Sequence, residues 1–195
     1  IANGSEVVLN NLTTVEVNGD NNINGGGVLR EKGTMNIGQA TNANPAFVIN
    51  EGKHIVDGGT FASRGGYRIG SQATGIGAQT ILTNNANFSL TVSGAALRVG
   101  DSANPVTARL VIDNSTLSLL GGTLGISYAT GATGEVLQNG GSISGGIIAF
   151  NDAGAGTADG LGVRQRQRMR SAGGVLMDGD EARHAATLGV GATHE

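Results

Sequence analysis

The side chains able to do acid–base or metal chemistry are few and dispersed along this chain. Its three histidines stand at His54, His184 and His194, with no His-Glu-x-x-His pair among them. With no cysteine present, a thiolate zinc site cannot form. Nucleophile-elbow, dinucleotide and phosphate-loop glycine patterns are absent as well. His54 sits on an expected strand beside the apolar Ile55-Val56 and reads as structural or solvent-facing. Cleavage of a polysaccharide needs converging carboxylates, or calcium with a basic residue, and Asp57, Asp101 and Asp113 are the first candidates. Asp152, Asp159, Asp178 and Asp180 lie in glycine-rich turns of a kind that can bind calcium. The tight Gly-Gly-x-Gly-x-Asp repeat is missing, so turn chemistry accounts for these aspartates without metal. No cofactor is expected. The remaining charged feature is Arg164, Arg166, Arg168 and Arg170, alternating in one run. It reads as an exposed strand face that blocks edge pairing, or as a contact for phosphate, lipopolysaccharide or an acidic glycan.

Whether any of these groups meet depends on the elements that carry them, and the chain is organised by a repeat. Met35-Asn36-Ile37-Gly38, Tyr67-Arg68-Ile69-Gly70, Leu97-Arg98-Val99-Gly100, Leu124-Gly125-Ile126-Ser127 and Ile148-Ala149-Phe150-Asn151 are each a short strand ending on a small or polar residue. Their ends are 32, 30, 27 and 24 residues apart. A loop of small residues follows, then an apolar strand such as Phe47-Val48-Ile49 or Leu110-Val111-Ile112. Asn50, Asn84, Asp113 and Asn139 lie at or just past the end of that strand. A third, alternating strand closes the unit on glycine, as in Leu117-Ser118-Leu119 before Gly121-Gly122.

Three strands and three turns make one coil of a parallel β-helix, each coil about 4.8 Å from the next. The expected fold is all-β, a right-handed parallel β-solenoid of five to six coils over residues 1–160. Stacking then predicts an internal aliphatic ladder of Ile37, Ile69, Val99 and Ile126, with Arg68 and Arg98 pointing outward. Asn50, Asn84, Asp113 and Asn139 should form a corner ladder that satisfies turn backbone. Asp57, Asp101 and Asp113 fall in different registers, which argues against convergence. An antiparallel sandwich also has short strands between turns, but it has no reason to return one three-strand pattern in register.

Composition agrees with a narrow, layered interior. There is no Trp, and only six aromatic residues, so Val, Ile, Leu and Ala must fill the core. Glycine supplies 35 residues, while all 18 asparagines lie at or before Asn151, and both types tolerate sharp turns. Recurrent β-branched runs and only 14% charged residues argue against disorder. A net charge of −3 gives no reason to expect a nucleic-acid partner, and no apolar run is long enough to span a membrane. The chain opens on Ile1, which suits a processed or excised piece.

The pattern over roughly residues 12 to 150, Leu-x-Val-Gly, polar loop, apolar strand, alternating strand and Gly-Gly, resembles the β-strand repeats of bacterial autotransporter passengers and related surface proteins. That resemblance implies a secreted or cell-surface solenoid with an adhesive or structural role, not an enzyme, and carries no catalytic residues across. A polysaccharide-active β-helix and a viral or phage fibre segment are the alternatives. Expected partners are further copies or a longer chain meeting the solenoid ends, and a surface glycan. After Gly162 the style changes: asparagine stops, and from Leu161 onward the net charge is +1 against −4 before it. Residues 161–195 are expected to be an arginine-rich cap or tail, with Asp180 to Gly189 as a short helix.

Overall fold

Apolar and polar residues alternate within each short strand, so burying one side of every strand requires the chain to close round a narrow interior. The computed structural model describes residues 1–17, 21–38, 47–72, 77–129 and 131–150, with strands Gly162–Gln165, Met169–Arg170 and Leu176–Met177. The first coil has β1 (Glu6–Leu9), β2 (Thr14–Val17) and β3 (Asn21–Ile23), and the second β4 (Val28–Glu31), β5 (Thr34–Ile37) and β6 (Val48–Asn50). β7 (Lys53–Asp57), β8 (Thr60–Ser63) and β9 (Tyr67–Ile69) form the third. β10 (Ala78–Thr83), β11 (Asn87–Leu90) and β12 (Ala96–Val99) form the fourth. The next two coils are single strands, β13 (Thr107–Ile126) and β14 (Thr133–Phe150), which run through all three faces. β15 (Gly162–Gln165) adds one more strand to the first face, and β16 (Met169–Arg170) pairs with β17 (Leu176–Met177) in a separate antiparallel pair.

Every pairing in the main sheet is parallel, which excludes a sandwich. The fold is a parallel β-solenoid. On its first face Leu29, His54, Thr80, Leu110 and Val136 stack inward. On the second, Met35, Phe61, Phe88 and Leu117 do so, and on the third Ile23, Asn50, Ile69, Val99 and Ile126. Each fully buried aliphatic side chain in these columns contributes about 1.5–3 kcal/mol.

Corners are made by residues that accept close backbone approach. A β-carbon on Gly52 would collide with the Gly27 carbonyl oxygen, and one on Gly122 with that of Ala95. Within β13 the chain turns at Asn114 (φ 47°), Leu120 (φ 41°) and Gly121 (φ 77°). Two of these are not glycine, and their left-handed backbone is held by pairing on both sides of the bend.

Two of the expected ladder positions are exchanged. Ile37 does not join Ile69, Val99 and Ile126: it lies on the second face, paired with Val17 and Ser63. Asn50 is not at a corner but fills the inward position between Ile23 and Ile69. The cause is where the long connection falls. In the second coil it separates the second and third strands (38–47); in later coils it follows the third (70–77, 100–106, 127–132). Taking the loop as landmark therefore slips this coil by one face, because the strand at 34–37 alternates as the one at 67–69 does. The other corner residues also separate. Asp113 pairs with Asn139, whereas Asn84, in a left-handed turn, donates to Asp57 Oδ1 at 2.6 Å.

Since the chain lacks cysteine, cross-linking can test this register on outward positions. Asn36 and Ala62 are paired neighbours, at a separation near 4.8 Å that suits a disulfide. Asn36→Cys with Ala62→Cys should oxidise to an intramolecular disulfide. Asn36→Cys with Arg68→Cys, the pairing that the slipped register requires, should remain reduced. Mass spectrometry of alkylated protein distinguishes the two.

Candidate functional site

Where alternation points a charged residue inward, the solenoid must find it a partner. Leu29 faces the core from β4, so Glu31, two residues on, faces it too. β7 brings His54 in beside it, with the Nε2 atom 3.1 Å from Glu31 Oε1 and both side chains fully buried. The contact is an ion-pair distance without hydrogen-bond alignment, since neither carboxylate oxygen nor Nε2 makes a hydrogen bond. The other ring nitrogen, Nδ1, lies 2.6 Å from the Tyr67 hydroxyl of β9. Tyr67 is 3.0 Å from Thr80 Oγ1 on β10, and Asn50 Nδ2 donates to that same oxygen at 2.9 Å. Asn50 Nδ2 also reaches the Gln79 carbonyl oxygen at 2.7 Å, while its Oδ1 accepts from the Gly52 amide at 3.0 Å.

Five polar side chains from the first and third faces thus form one buried chain, enclosed by rings. Phe61 and Phe88 stack with centroids 4.6 Å apart, and Tyr67 stands edge-on to both. His54 meets the edge of Phe61 at 5.1 Å. Removing either Glu31 or His54 would leave the other buried without its counterpart. The Tyr67 phenol is pushed well above its usual range, chiefly by desolvation and next by the Glu31 charge, against the hydrogen bonds from Thr80 and Asn50. An acid–histidine–hydroxyl sequence is the raw material of nucleophilic catalysis, yet all five groups are sealed from solvent, so no substrate can reach them. Their chemistry here is cohesion.

Outside the third face, Arg68 and Arg98 are register neighbours, and both approach Asp101 Oδ2 at 3.3 Å. The Arg68 guanidinium lies 5.5 Å from the Phe47 ring centroid, and that of Arg98 lies 3.9 Å from that of Tyr128. Tyr128 can lie there because Gly125 presents no β-carbon beneath its ring.

The three candidate carboxylates stay apart. Asp57 pairs with Arg30 and Lys32, at 3.5 and 3.9 Å. Asp101 holds the two arginines, and Asp113 is near Asn114 at a corner. Among the described residues no three of His, Asp and Glu gather closely enough to hold a metal ion. Arg164 lies in β15 opposite Leu137, and Arg170 in β16 opposite Leu176. Arg166, Arg168, His184, His194, the aspartates from 152 onward and the expected helix lie outside the described residues. Sequence reasoning missed Glu31, Tyr67, Thr80 and Asn50 as a group. A signal for the first existed: a glutamate two residues after an inward leucine. No family model matches this chain, and neither a curated protein nor a solved structure matches it.

Two outcomes follow from the buried chain. His54→Phe strands the Glu31 charge and should cost about 3–5 kcal/mol, whereas Glu31→Leu with His54→Phe should recover most of that loss. Urea unfolding measures both, and a double variant no more stable than the single would refute the pairing. Tyr67 holds its proton more tightly folded than unfolded, so its contribution is complete below the ordinary phenol range. That contribution is lost as pH rises past about 10. In alkaline melts Tyr67→Phe should show a shallower decline there than the parent chain.

Proposed function

We propose that this chain is a non-catalytic structural and adhesive module, secreted or displayed on a bacterial surface, whose solenoid ends join further protein. The observation that carries this is the open first coil. β1, β2 and β3 each pair on one side only among the described residues. Val7, Val8 and Leu12 of this coil are 41%, 45% and 103% exposed. A row of unpaired N–H and C=O groups beside apolar side chains is a template for strand addition. Repeated head-to-tail, such a contact gives a filament.

Further support comes from what the described acidic and basic groups do. The best-organised acid and base are buried in the core, and Asp57, Asp101 and Asp113 stay apart from one another with separate partners. The likeness to autotransporter passenger repeats, Leu97-Arg98-Val99-Gly100 and its counterparts, points to the same surface role. Light scattering across a concentration series tests the reading. The chain should associate at high concentration, and Val7→Asp, which charges the open layer, should restore monomers without lowering the melting temperature. A strictly monomeric parent chain at high concentration would overturn it.

A further inference from the structure

The outer side of the third face carries a groove of about 290 Å³. Arg64, Arg68 and Arg98 line it with Phe47, Val92 and Ser93, and glycine and alanine backbone completes the floor. No carboxylate is among its lining residues, in a chain whose net charge is −3. Arg68 and Arg98 share the one carboxylate of Asp101, at Arg68 Nε and Arg98 Nη1. This arginine pair therefore keeps a net positive charge on the groove, while Arg98 is braced from behind by the Tyr128 ring.

We propose that this groove binds an acidic oligosaccharide, a uronic-acid chain being the simplest case. The guanidinium of Arg68 is more than one-third exposed, and its Nε is taken up by Asp101. Its terminal nitrogens offer the paired N–H donors that suit a sugar carboxylate. Phe47 is 39% exposed and stands over Arg68, giving an aromatic wall for the apolar face of a sugar ring. Gly65, Gly66 and Gly94 leave the floor without side chains, so an extended chain can lie close to the backbone. A volume near 290 Å³ suits one or two sugar rings. A nucleic acid is disfavoured because its affinity rests on many phosphate contacts, whereas three guanidinium groups line this groove. This deepens the adhesive part of the reading above. It uses a surface remote in sequence from the first coil, so either can fail without the other.

Calorimetric titration of the full chain with trigalacturonic acid, maltotriose and inorganic phosphate tests it. Trigalacturonic acid should bind and maltotriose should not. Arg68→Gln should weaken the acidic trisaccharide by about tenfold or more, with the melting temperature retained. Phe47→Ala should weaken it as well, and no reducing or unsaturated ends should be released. Absence of binding, or binding indifferent to Arg68→Gln, would overturn the proposal. So would phosphate binding as tightly as the trisaccharide, which would make the groove a simple anion site. Oligonucleotide binding in preference to the trisaccharide would assign it to another class of ligand.

Discussion

Parallel stacking in register is the constraint on which everything else in this molecule depends. A residue that faces inward rests on the residue one coil below and supports the one above, so each position must suit two neighbours of the same orientation. Ile69, Val99 and Ile126 satisfy this as an aliphatic column, and Phe61 on Phe88 as an aromatic one. Where the column changes character the chain adds a specific partner. Asn50 sits between Ile23 and Ile69 because Thr80, Gln79 and Gly52 satisfy its amide. Glu31 stacks on Val56 and is tolerated because His54 approaches it from the adjacent inward position of β7.

The same constraint explains the glycine content. Corners stack as strictly as strands do, and at Gly52 and Gly122 the neighbouring carbonyl oxygen occupies the space a β-carbon would need. It also sets what the outside can present. Arg68 and Arg98 come together only because their inward neighbours, Ile69 and Val99, are locked into one column. The groove on that face is a by-product of core packing, and its chemistry is fixed by the same register.

Much of the fold was legible from strand alternation. The parallel winding, the outward arginines and the column from Ile69 to Ile126 follow from patterns in Tyr67-Arg68-Ile69 and Leu97-Arg98-Val99. The error at Ile37 and Asn50 has a physical origin: three faces built from equally short alternating strands are locally indistinguishable, and only loop position separates them. The buried polar chain was less legible. Glu31 is marked by its spacing from Leu29, but Tyr67 and Thr80 join it from strands 36 and 49 residues on. Only the closed coil reveals that contact. Asp101 was readable as a loop aspartate and not as the bridge between two arginines, because the bridge needs β9 and β12 side by side.

The most direct test of the parallel in-register winding is the pattern of short proton–proton contacts in an NMR spectrum of the labelled chain. Parallel strands keep backbone α-protons of facing residues apart, whereas antiparallel strands bring those of non-hydrogen-bonded pairs together. Contacts should link the backbone around Arg68 with Arg98, and Arg98 with Gly125, through amide protons, with no close α-proton pairs between the paired strands β3 to β14. Strong α-proton to α-proton contacts between any of these strands, or Arg68 adjoining a residue other than Ile49 and Arg98 across the sheet, would contradict it.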